Sequence, residues 1–260
     1  MNTKHFIIPI FAILFSTGFL FAQEHKITVQ NTKETTLTLD DFYGDLPVEG
    51  YAGNEIIITT SSDRFQNPPA QSKGLKPVYP GGSDNTGMAL HVEQNGNDVR
   101  VRCLLPITVG GVEYKIKVPE NIALRIKGDC ARNNSVDIRN MKNEIEVNVC
   151  QSIKLKNVAG PLVLSNISGN INIAFNELNT TKPISITSVS GEIDITLSSK
   201  AAVNLEMKTI TGNMYSDFDL NTDAKDMHRV GGGAVNVKLN GGGTDLRVTN
   251  VSGNIYLRKG

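Results

Sequence analysis

The densest group of side chains that could do chemistry is a run of acidic residues near the carboxyl end of the chain. It comprises Asp217, Asp219, Asp223, Asp226 and His228. Carboxylates at such close spacing can bind calcium, which takes several oxygen ligands. The run lacks the glycine and the terminal glutamate of an EF-hand loop, and the sequence has no nonapeptide calcium repeat. Two interpretations stay open, a metal site and a solvated polar loop, and the sequence favours the loop.

Three cysteines, Cys103, Cys130 and Cys150, form a second group of reactive side chains. Cys130 and Cys150 lie 20 residues apart, close to the repeat period described below, which would place them on adjacent turns of the fold. They could form a disulfide, or they could be two small buried apolar side chains. An odd count leaves at least one thiol without a partner in the same chain. No cysteine or histidine stands at ligand spacing to any of the three, so a zinc site is not expected.

The sequence contains no recognisable catalytic constellation. The Gly-x-Ser-x-Gly phrase of a nucleophile elbow is missing, and the glycine triplets at 231–233 and 241–243 lack the Lys-Ser/Thr of a phosphate-binding loop. Several acids that alternate with apolar residues could serve a polysaccharide lyase or hydrolase. They are Asp137, Glu146, Glu192, Asp194 and Glu206. Because outward strand positions must be polar for solubility alone, these acids do not favour an enzyme, and no cofactor is predicted.

The elements that would position these side chains are predicted by a repeated phrase, in which a branched apolar residue and Ser, Thr or Ala precede glycine. Its glycines are Gly160, Gly169, Gly191, Gly212 and Gly253. Glycine suits a sharp corner because it adopts positive φ at little cost, and a neighbouring Asn can hydrogen-bond the backbone there. The separations are 9, 22, 21 and 41 residues. We interpret 21 and 22 as one turn of a coil, 41 as two turns and 9 as half a turn.

Between the corners, apolar and polar residues alternate with a period of two, as in Ile193-Asp194-Ile195-Thr196-Leu197. Such alternation in short segments rich in Ile, Val and Thr predicts strands with one buried face. No helical periodicity is sustained after residue 22. The predicted fold class is all-β: a single-stranded parallel β-helix or solenoid with short rungs, whose inward side chains stack from turn to turn. An antiparallel sandwich with hairpin turns at irregular intervals is the alternative.

The chain divides into a leader and one predicted domain. Residues 1–22 combine Lys4, an apolar run and a final Ala22 before Gln23, which predicts a secretory signal peptide cleaved after Ala22. An uncleaved anchor is the alternative, but the apolar run is short for a membrane span. Residues 23–260 form the predicted solenoid. It is interrupted by a proline-rich loop insertion at 61–97 and a glycine-rich excursion at 217–243.

The charge balance limits the classes of partner. The chain has 26 basic and 26 acidic residues, and loss of Lys4 with the signal peptide leaves 25 basic against 26 acidic. Nucleic acid is therefore not an expected partner, since its phosphates require a concentrated basic face. No segment after residue 22 is apolar enough for a transmembrane helix. We expect an exported protein of the periplasm, the cell surface or the extracellular medium.

Further motifs accompany the Ser/Thr-Gly-x-Ile repeats over most of the chain, roughly from Thr36 to Arg258. They are Leu37-Thr38-Leu39, Val48-Glu49-Gly50-Tyr51-Ala52-Gly53-Asn54-Glu55-Ile56, Lys117-Val118-Pro119-Glu120-Asn121, and the ending with Gly241-Gly242-Gly243 and Val251-Ser252-Gly253-Asn254-Ile255-Tyr256-Leu257. In these motifs the chain resembles a bacterial exported "putative adhesin" domain of unknown function. The resemblance implies a β-solenoid similar to surface proteins and supplies no catalytic residues. The insertion at 61–97 departs from the pattern of a minimal member.

The function predicted from the sequence is that of a non-enzymatic exported β-solenoid, an adhesin-like binding or structural module at the cell envelope. Its partner is unknown, with a surface glycan and an envelope protein as the two candidates. The alternatives are a carbohydrate-active β-helix enzyme, either a polysaccharide lyase or a hydrolase, and a periplasmic scaffold or sensor that binds an envelope protein.

Overall fold

The structure is a computed structural model that describes residues 23–66, 69–75, 77–108, 112–132, 135–178, 182–220 and 233–260. The predicted signal peptide at 1–22, including Ala22 of the cleavage site, lies outside the described residues. Signal-peptide cleavage therefore stays a prediction.

Alternating apolar and polar residues form twenty strands in the described part of the chain. They are β1 (Gln23–Thr28), β2 (Thr36–Asp40), β3 (Asp45–Tyr51), β4 (Glu55–Thr60), β5 (Leu90–Asn95), β6 (Asp98–Cys103), β7 (Tyr114–Pro119), β8 (Ala123–Lys127), β9 (Ser135–Met141), β10 (Ile145–Val149), β11 (Ile153–Val158), β12 (Leu162–Asn166), β13 (Ile171–Phe175), β14 (Ile184–Ser190), β15 (Ile193–Leu197), β16 (Val203–Thr211), β17 (Met214–Ser216), β18 (Gly233–Leu239), β19 (Thr244–Ser252) and β20 (Ile255–Lys259). Helical structure in these residues is confined to α1 (Asp63–Gln66) and two 3-10 turns, Ala70–Ser72 and Cys130–Arg132. The all-β prediction is confirmed.

The strands pair into two ten-stranded sheets that enclose one hydrophobic core. Sheet I has the order β1-β4-β7-β3-β9-β11-β13-β15-β20-β17, and sheet II the order β18-β16-β19-β14-β12-β10-β8-β2-β6-β5. From β8 to β15 the chain alternates between the sheets, so each turn adds one parallel strand to each sheet. Paired residues such as Leu124 and Ile145, or Ile171 and Ile193, are 21 and 22 positions apart in the sequence. The predicted parallel solenoid and its turn length are confirmed.

The core follows from the two-residue period of each strand. In β15, Ile193, Ile195 and Leu197 are fully buried, whereas Asp194 and Thr196 between them point outward. Because equivalent residues of successive turns are directly paired, each buried aliphatic side chain meets similar ones above and below. Full burial of one such side chain contributes about 1.5–3 kcal/mol, so the core grows with every turn.

At the two ends of the solenoid, the turns do not stack in chain order. The last turn, β19 and β20, inserts between β14–β15 and β16–β17, and the first turn, β2 and β3, inserts between β6–β7 and β8–β9. Our interpretation of 41 residues as two turns is therefore wrong. Gly253 is the direct neighbour of Gly212, because its N–H donates to the carbonyl oxygen of Thr211 at 2.8 Å. The additional residues form β17, β18 and the segment that joins them.

Antiparallel pairing in the described residues is confined to the ends of the sheets. It joins β1 to β4, β4 to β7 and β5 to β6 near the amino end, and β16 to β18 near the carboxyl end. An uncovered parallel strand would leave a row of backbone groups free to pair with another chain. These hairpin-like strands occupy such edges.

The predicted loop insertion at 61–97 is shorter than expected. Its last part, Leu90–Asn95, is strand β5, which pairs with β6 across the two residues Gly96 and Asn97. Gly96 has a φ of +60°, as a two-residue hairpin turn requires, and this Gly-Asn turn signal was overlooked. The preceding loop is organised by Asp84, whose carboxylate accepts the backbone N–H groups of Thr86, Gly87 and Ala89 at 2.9 Å each.

The predicted excursion at 217–243 also contains a regular element. Residues 233–239 form β18, which pairs antiparallel with β16. Residues 221–232 lie outside the described residues.

Candidate functional site

Four of the five predicted corner glycines form one column where the chain passes from sheet II to sheet I. Gly169, Gly191, Gly253 and Gly212 follow one another along the solenoid, all with positive φ. A Cβ atom on Gly191 would lie 2.1 Å from the carbonyl oxygen of Gly169, and one on Gly253 would lie 2.0 Å from that of Gly191. The column therefore has room only for hydrogen. Gly160 lies at the opposite corner, half a turn before Gly169.

Polar side chains close this corner from inside the core. Asn166, Ser188, Asn250 and Thr209 are buried at paired positions on neighbouring strands. Asn166 and Asn250 donate their Nδ2 groups to the carbonyl oxygens of Gly169 and Gly191, at 2.9 Å each. Thr209 donates its hydroxyl to the carbonyl oxygen of Gly253 at 3.2 Å. Because buried carbonyls need partners, we assign the glycine column and this polar ladder a structural role.

Asparagines also bind the same corner from the outside. Asn170 Oδ1 accepts the N–H of Glu192, and Asn254 Oδ1 accepts the N–H of Asn213, both at 3.0 Å. The branched residue that opens each phrase is exposed rather than buried. These residues are Ile167, Val189, Val251 and Ile210, with exposed fractions between 39% and 51%.

Cys130 and Cys150 lie at successive passages of the chain from sheet II to sheet I. Cys130 is in the 3-10 turn before β9, and Cys150 follows β10 directly. They form a disulfide, with Cα atoms 5.1 Å apart. Cys103 on β6 is free and buried, and burial raises the pKa of its thiol.

We expect one reactive thiol per chain after denaturation without reductant, and three after reduction. In the native protein, Cys103 should react slowly at about pH 8, because the thiolate is the nucleophile and burial disfavours it. Titration with a chromogenic disulfide reagent measures all three states. A Cys103→Ala variant is the control and should show no thiol until it is reduced. Three thiols in denatured, unreduced wild type would contradict the disulfide.

The predicted acidic run is only partly described. Asp217 and Asp219 are exposed in the structure, whereas Asp223, Asp226 and His228 lie outside the described residues. Asp217 Oδ1 accepts the backbone N–H of Lys259 at 2.7 Å, which occupies one of its lone pairs. Among the described residues, no three acidic, histidine or cysteine side chains come together as a metal site. Metal binding by the run stays a prediction.

The five outward acids considered for catalysis all have polar partners. These pairs are Asp137 with Arg139, Glu146 with Arg125, Glu192 with Tyr256, Asp194 with Arg258, and Glu206 with Arg247. The Arg139 guanidinium donates two hydrogen bonds to Asp137, at 2.8 and 2.7 Å, and holds the pKa of that carboxyl below its usual value. A glycosidase acid needs the opposite shift, a raised pKa. We therefore interpret these carboxylates as cross-strand or local partners.

An aromatic pair, not predicted from the sequence, lies on the outer face of sheet I. Tyr256 on β20 and Tyr215 on β17 are directly paired, with ring centroids 5.3 Å apart and planes at 12°. Because β17 is the end strand of sheet I, Tyr215 has no further strand beside it in that sheet, and it is 50% exposed. We call Tyr215 and Tyr256 the tyrosine platform.

Fixed polar groups surround the platform. The Tyr256 hydroxyl donates to Glu192 Oε1 and accepts from Asn254 Nδ2, both at 3.0 Å. Arg258 lies 5.4 Å from the Tyr256 ring centroid and donates through Nε to both carboxylate oxygens of Asp194. A shallow hollow of about 210 Å³ beside the rings is bordered by Asp217. The platform thus combines an aromatic surface with carboxylate acceptors and a guanidinium donor.

The sequence carries a signal for the platform that went unused. Thr211-Gly212-Asn213-Met214-Tyr215 and Ser252-Gly253-Asn254-Ile255-Tyr256 match position by position, so each tyrosine stands three residues after its corner glycine. The match places both rings on the same outward row. Only the insertion of the last turn makes them neighbours.

A second concave region lies at the ends of β2, β6 and β8. It has a volume of about 420 Å³, and its charged lining consists of Asp40, Asp41, Asp129, Arg100, Arg102 and Lys127. Asp40 is buried and pairs with Arg100, and Asp41 pairs with Arg132. Since three acids and three bases line this cleft, it favours neither sign of ligand charge.

Comparison with known proteins places this geometry among domains of unknown function. Residues 120–258 match the sequence model of the Toastrack DUF4097 family. No curated protein matches the chain. Within the described residues, no helix combines the length and the apolar character needed to span a membrane.

Several solved structures are similar to this chain. One is a "putative cell adhesion protein" from Clostridium sporogenes, with 13% identity over 92% of this chain and 100% of that chain, at a TM-score of 0.44. A "putative adhesin" from Bacteroides fragilis has 12% identity over 92% and 97% of the two chains, at a TM-score of 0.38. Another from Parabacteroides merdae has 14% identity over 91% and 95%, at a TM-score of 0.33.

Proposed function

The chain belongs to the Toastrack DUF4097 family, and we propose that it is an exported, non-enzymatic binding module of the cell envelope whose ligand is a glycan. The observation that carries this proposal is the tyrosine platform, an exposed stack of two aromatic rings fixed among polar groups. A sugar ring has an apolar C–H face and a rim of hydroxyl groups. The platform offers partners for both.

The chemistry of the two surfaces is complementary. The negative face of an aromatic ring attracts the weakly positive C–H groups of a sugar. Sugar hydroxyls can donate to Asp194, Glu192 or Asp217 and can accept from Arg258. Since the Tyr256 hydroxyl already has two hydrogen-bond partners, little side-chain entropy would be lost when a ligand stacks beside it.

Two observations support a binding role over catalysis. The outward acids are committed to Arg or Tyr partners, as described above, whereas glycoside hydrolysis needs two carboxyl groups set for acid and nucleophile or base. The platform is also open and shallow, whereas catalytic sites commonly exclude water. Export is supported by the predicted signal peptide and by the Cys130–Cys150 disulfide, since disulfides persist in oxidising compartments.

We expect Tyr215→Ala and Tyr256→Ala to weaken glycan binding at least about tenfold each, because aromatic anchors dominate such contacts. Affinity electrophoresis and calorimetry with polygalacturonate, alginate and dextran measure the loss. Val163→Ala is the matched control, because Val163 is an outward residue of sheet II that is 46% exposed. Binding that is unchanged in both tyrosine variants would contradict the platform. New reducing ends or unsaturated products released by wild type would contradict the non-enzymatic assignment.

A protein-binding scaffold is the second candidate function. The exposed column Ile167, Val189, Val251 and Ile210 favours it, because stacked aliphatic side chains at the surface are typical of protein contacts. Recovery of one stoichiometric protein from envelope fractions, by wild type and tyrosine variants alike, would support this candidate over the glycan.

A further inference from the structure

A basic patch shares the outer face of sheet I with the tyrosine platform. We call Lys115, Lys117, Arg139, Lys154 and Lys156 the lysine patch. Its residues point outward and are exposed on β7, β9 and β11, three of the four adjacent strands β7-β3-β9-β11. The acids on the same outward rows are Glu49 and Asp137. Five bases against two acids make this half of the face strongly positive, although the whole chain has equal numbers of both.

The cations of β11 are the ones most available to a ligand. Arg139 is held by its two hydrogen bonds to Asp137. Lys154 is directly paired with Asp137 and Lys156 with Arg139 in the ladder between β9 and β11, but neither lysine forms an ion pair within the described part of the chain. The carboxylate of Asp137 is therefore already neutralised, and two ammonium groups beside it remain uncompensated.

The lysine patch and the tyrosine platform lie on one continuous row. Strand pairing connects Lys154 to Asn172, Asn172 to Asp194, Asp194 to Tyr256 and Tyr256 to Tyr215. Four strand spacings of about 4.8 Å give a length of roughly 19 Å from Lys154 to Tyr215. The intervening outward residues of β13 are Asn172 and Ala174, which are small and uncharged. Nothing bulky among the described outward residues of β13 interrupts the row.

We propose that this row is a binding track for a polysaccharide that carries anionic groups, either carboxylate or sulfate, along its chain. This inference rests on the proposed glycan-binding function and names the class of glycan. Sugar rings stack on the tyrosine platform, while anionic groups farther along the same polymer bind Lys154 and Lys156. The polymer runs across the strands, parallel to the solenoid axis, because the row has that direction.

The charge distribution favours an acidic glycan over an anionic membrane surface. Glu192, Asp194 and Asp217 surround the tyrosine platform, and these carboxylates would repel lipid phosphates brought against the same flat face. A glycan avoids this conflict because its hydroxyls can donate to the carboxylates while its anionic groups bind the lysines.

The test compares two forms of one polymer. De-esterified polygalacturonate carries carboxylates, whereas its highly methyl-esterified form has the same sugar backbone with few charges. We expect Lys154→Gln/Lys156→Gln to weaken binding of the de-esterified form roughly tenfold, since each exposed ion pair contributes modestly, with little change for the esterified form. Dextran sulfate and dextran form the second pair and separate sulfate from carboxylate recognition. Higher salt should weaken wild-type binding and affect the double variant less.

The matched control is Lys208→Gln/Lys238→Gln, which removes two exposed lysines from β16 and β18 of sheet II. It should bind both forms as wild type does. Loss of binding in the tyrosine variants, with none in the Lys154/Lys156 variant, would overturn the track and leave the proposed function standing. Failure of every glycan to bind would refute both. Lysine-dependent binding to phosphatidylglycerol vesicles, without binding to polygalacturonate or dextran sulfate, would overturn the track in favour of a membrane.

Discussion

Replacement of Gly253 by alanine is expected to lower the free energy of unfolding by roughly 2–4 kcal/mol. The φ of Gly253 is +123°, a conformation that residues with a side chain rarely adopt. A Cβ atom there would lie 2.0 Å from the carbonyl oxygen of Gly191, so the neighbouring backbone would have to move. Such movement would break the hydrogen bond from Asn250 to that same oxygen. Urea denaturation followed by circular dichroism measures the loss.

Gly44→Ala is the matched control. Gly44 also has positive φ, at +60°, but no atom lies within 4 Å of its added Cβ. Its substitution should cost only about 1 kcal/mol, the price of a left-handed backbone alone. The comparison also tests the inserted last turn. If Gly253 stood at the free end of a solenoid stacked in chain order, alanine would be tolerated there as well as at Gly44.

Replacement of Ile193 by alanine is expected to cost about 2–5 kcal/mol. Ile193 is fully buried, and it is paired with Ile171 on one side and Ile255 on the other. Because both neighbours belong to rigid ladders, they cannot move far to fill the cavity. The same denaturation series measures this loss of stability.

Asp194→Ala, one residue along the strand, is the comparison for the buried position. Asp194 points outward and binds Arg258, whose side chain is 54% exposed. Loss of such a surface ion pair should cost under about 1 kcal/mol. Equal effects at residues 193 and 194 would mean that the inward and outward faces of β15 are wrongly assigned.

Local features of the fold were predictable because their causes are local. Alternation in Ile193–Leu197 decides which side chains are buried, and it needs no knowledge of the neighbouring strand. Glycine at residues 169 and 191 predicted a sharp corner because few other residues adopt the backbone angles required there. The same reasoning failed for residues 90–97, where a Gly-Asn turn outweighed the proline-rich composition of the preceding loop.

The functional surface depends on longer-range pairing. Corner spacing placed Tyr215 and Tyr256 at equivalent positions, but stacking in chain order would have separated them by two turns. The lysine patch likewise combines residues of β7 with residues of β11, two strands that are not consecutive in the chain. Neither surface can be derived from the order of the strands along the sequence.

The sequence by itself determined the strand class, the corner positions and the length of a turn, because steric limits and the two-residue period act within a few residues. Only the tertiary structure decided which turns are neighbours. Every strand of the repeat offers nearly the same hydrogen-bonding edge and the same aliphatic face, so local chemistry does not distinguish one neighbour from another. The choice comes from packing and edge coverage summed over the whole solenoid, and that sum inserts the first and last turns and brings the two tyrosines together.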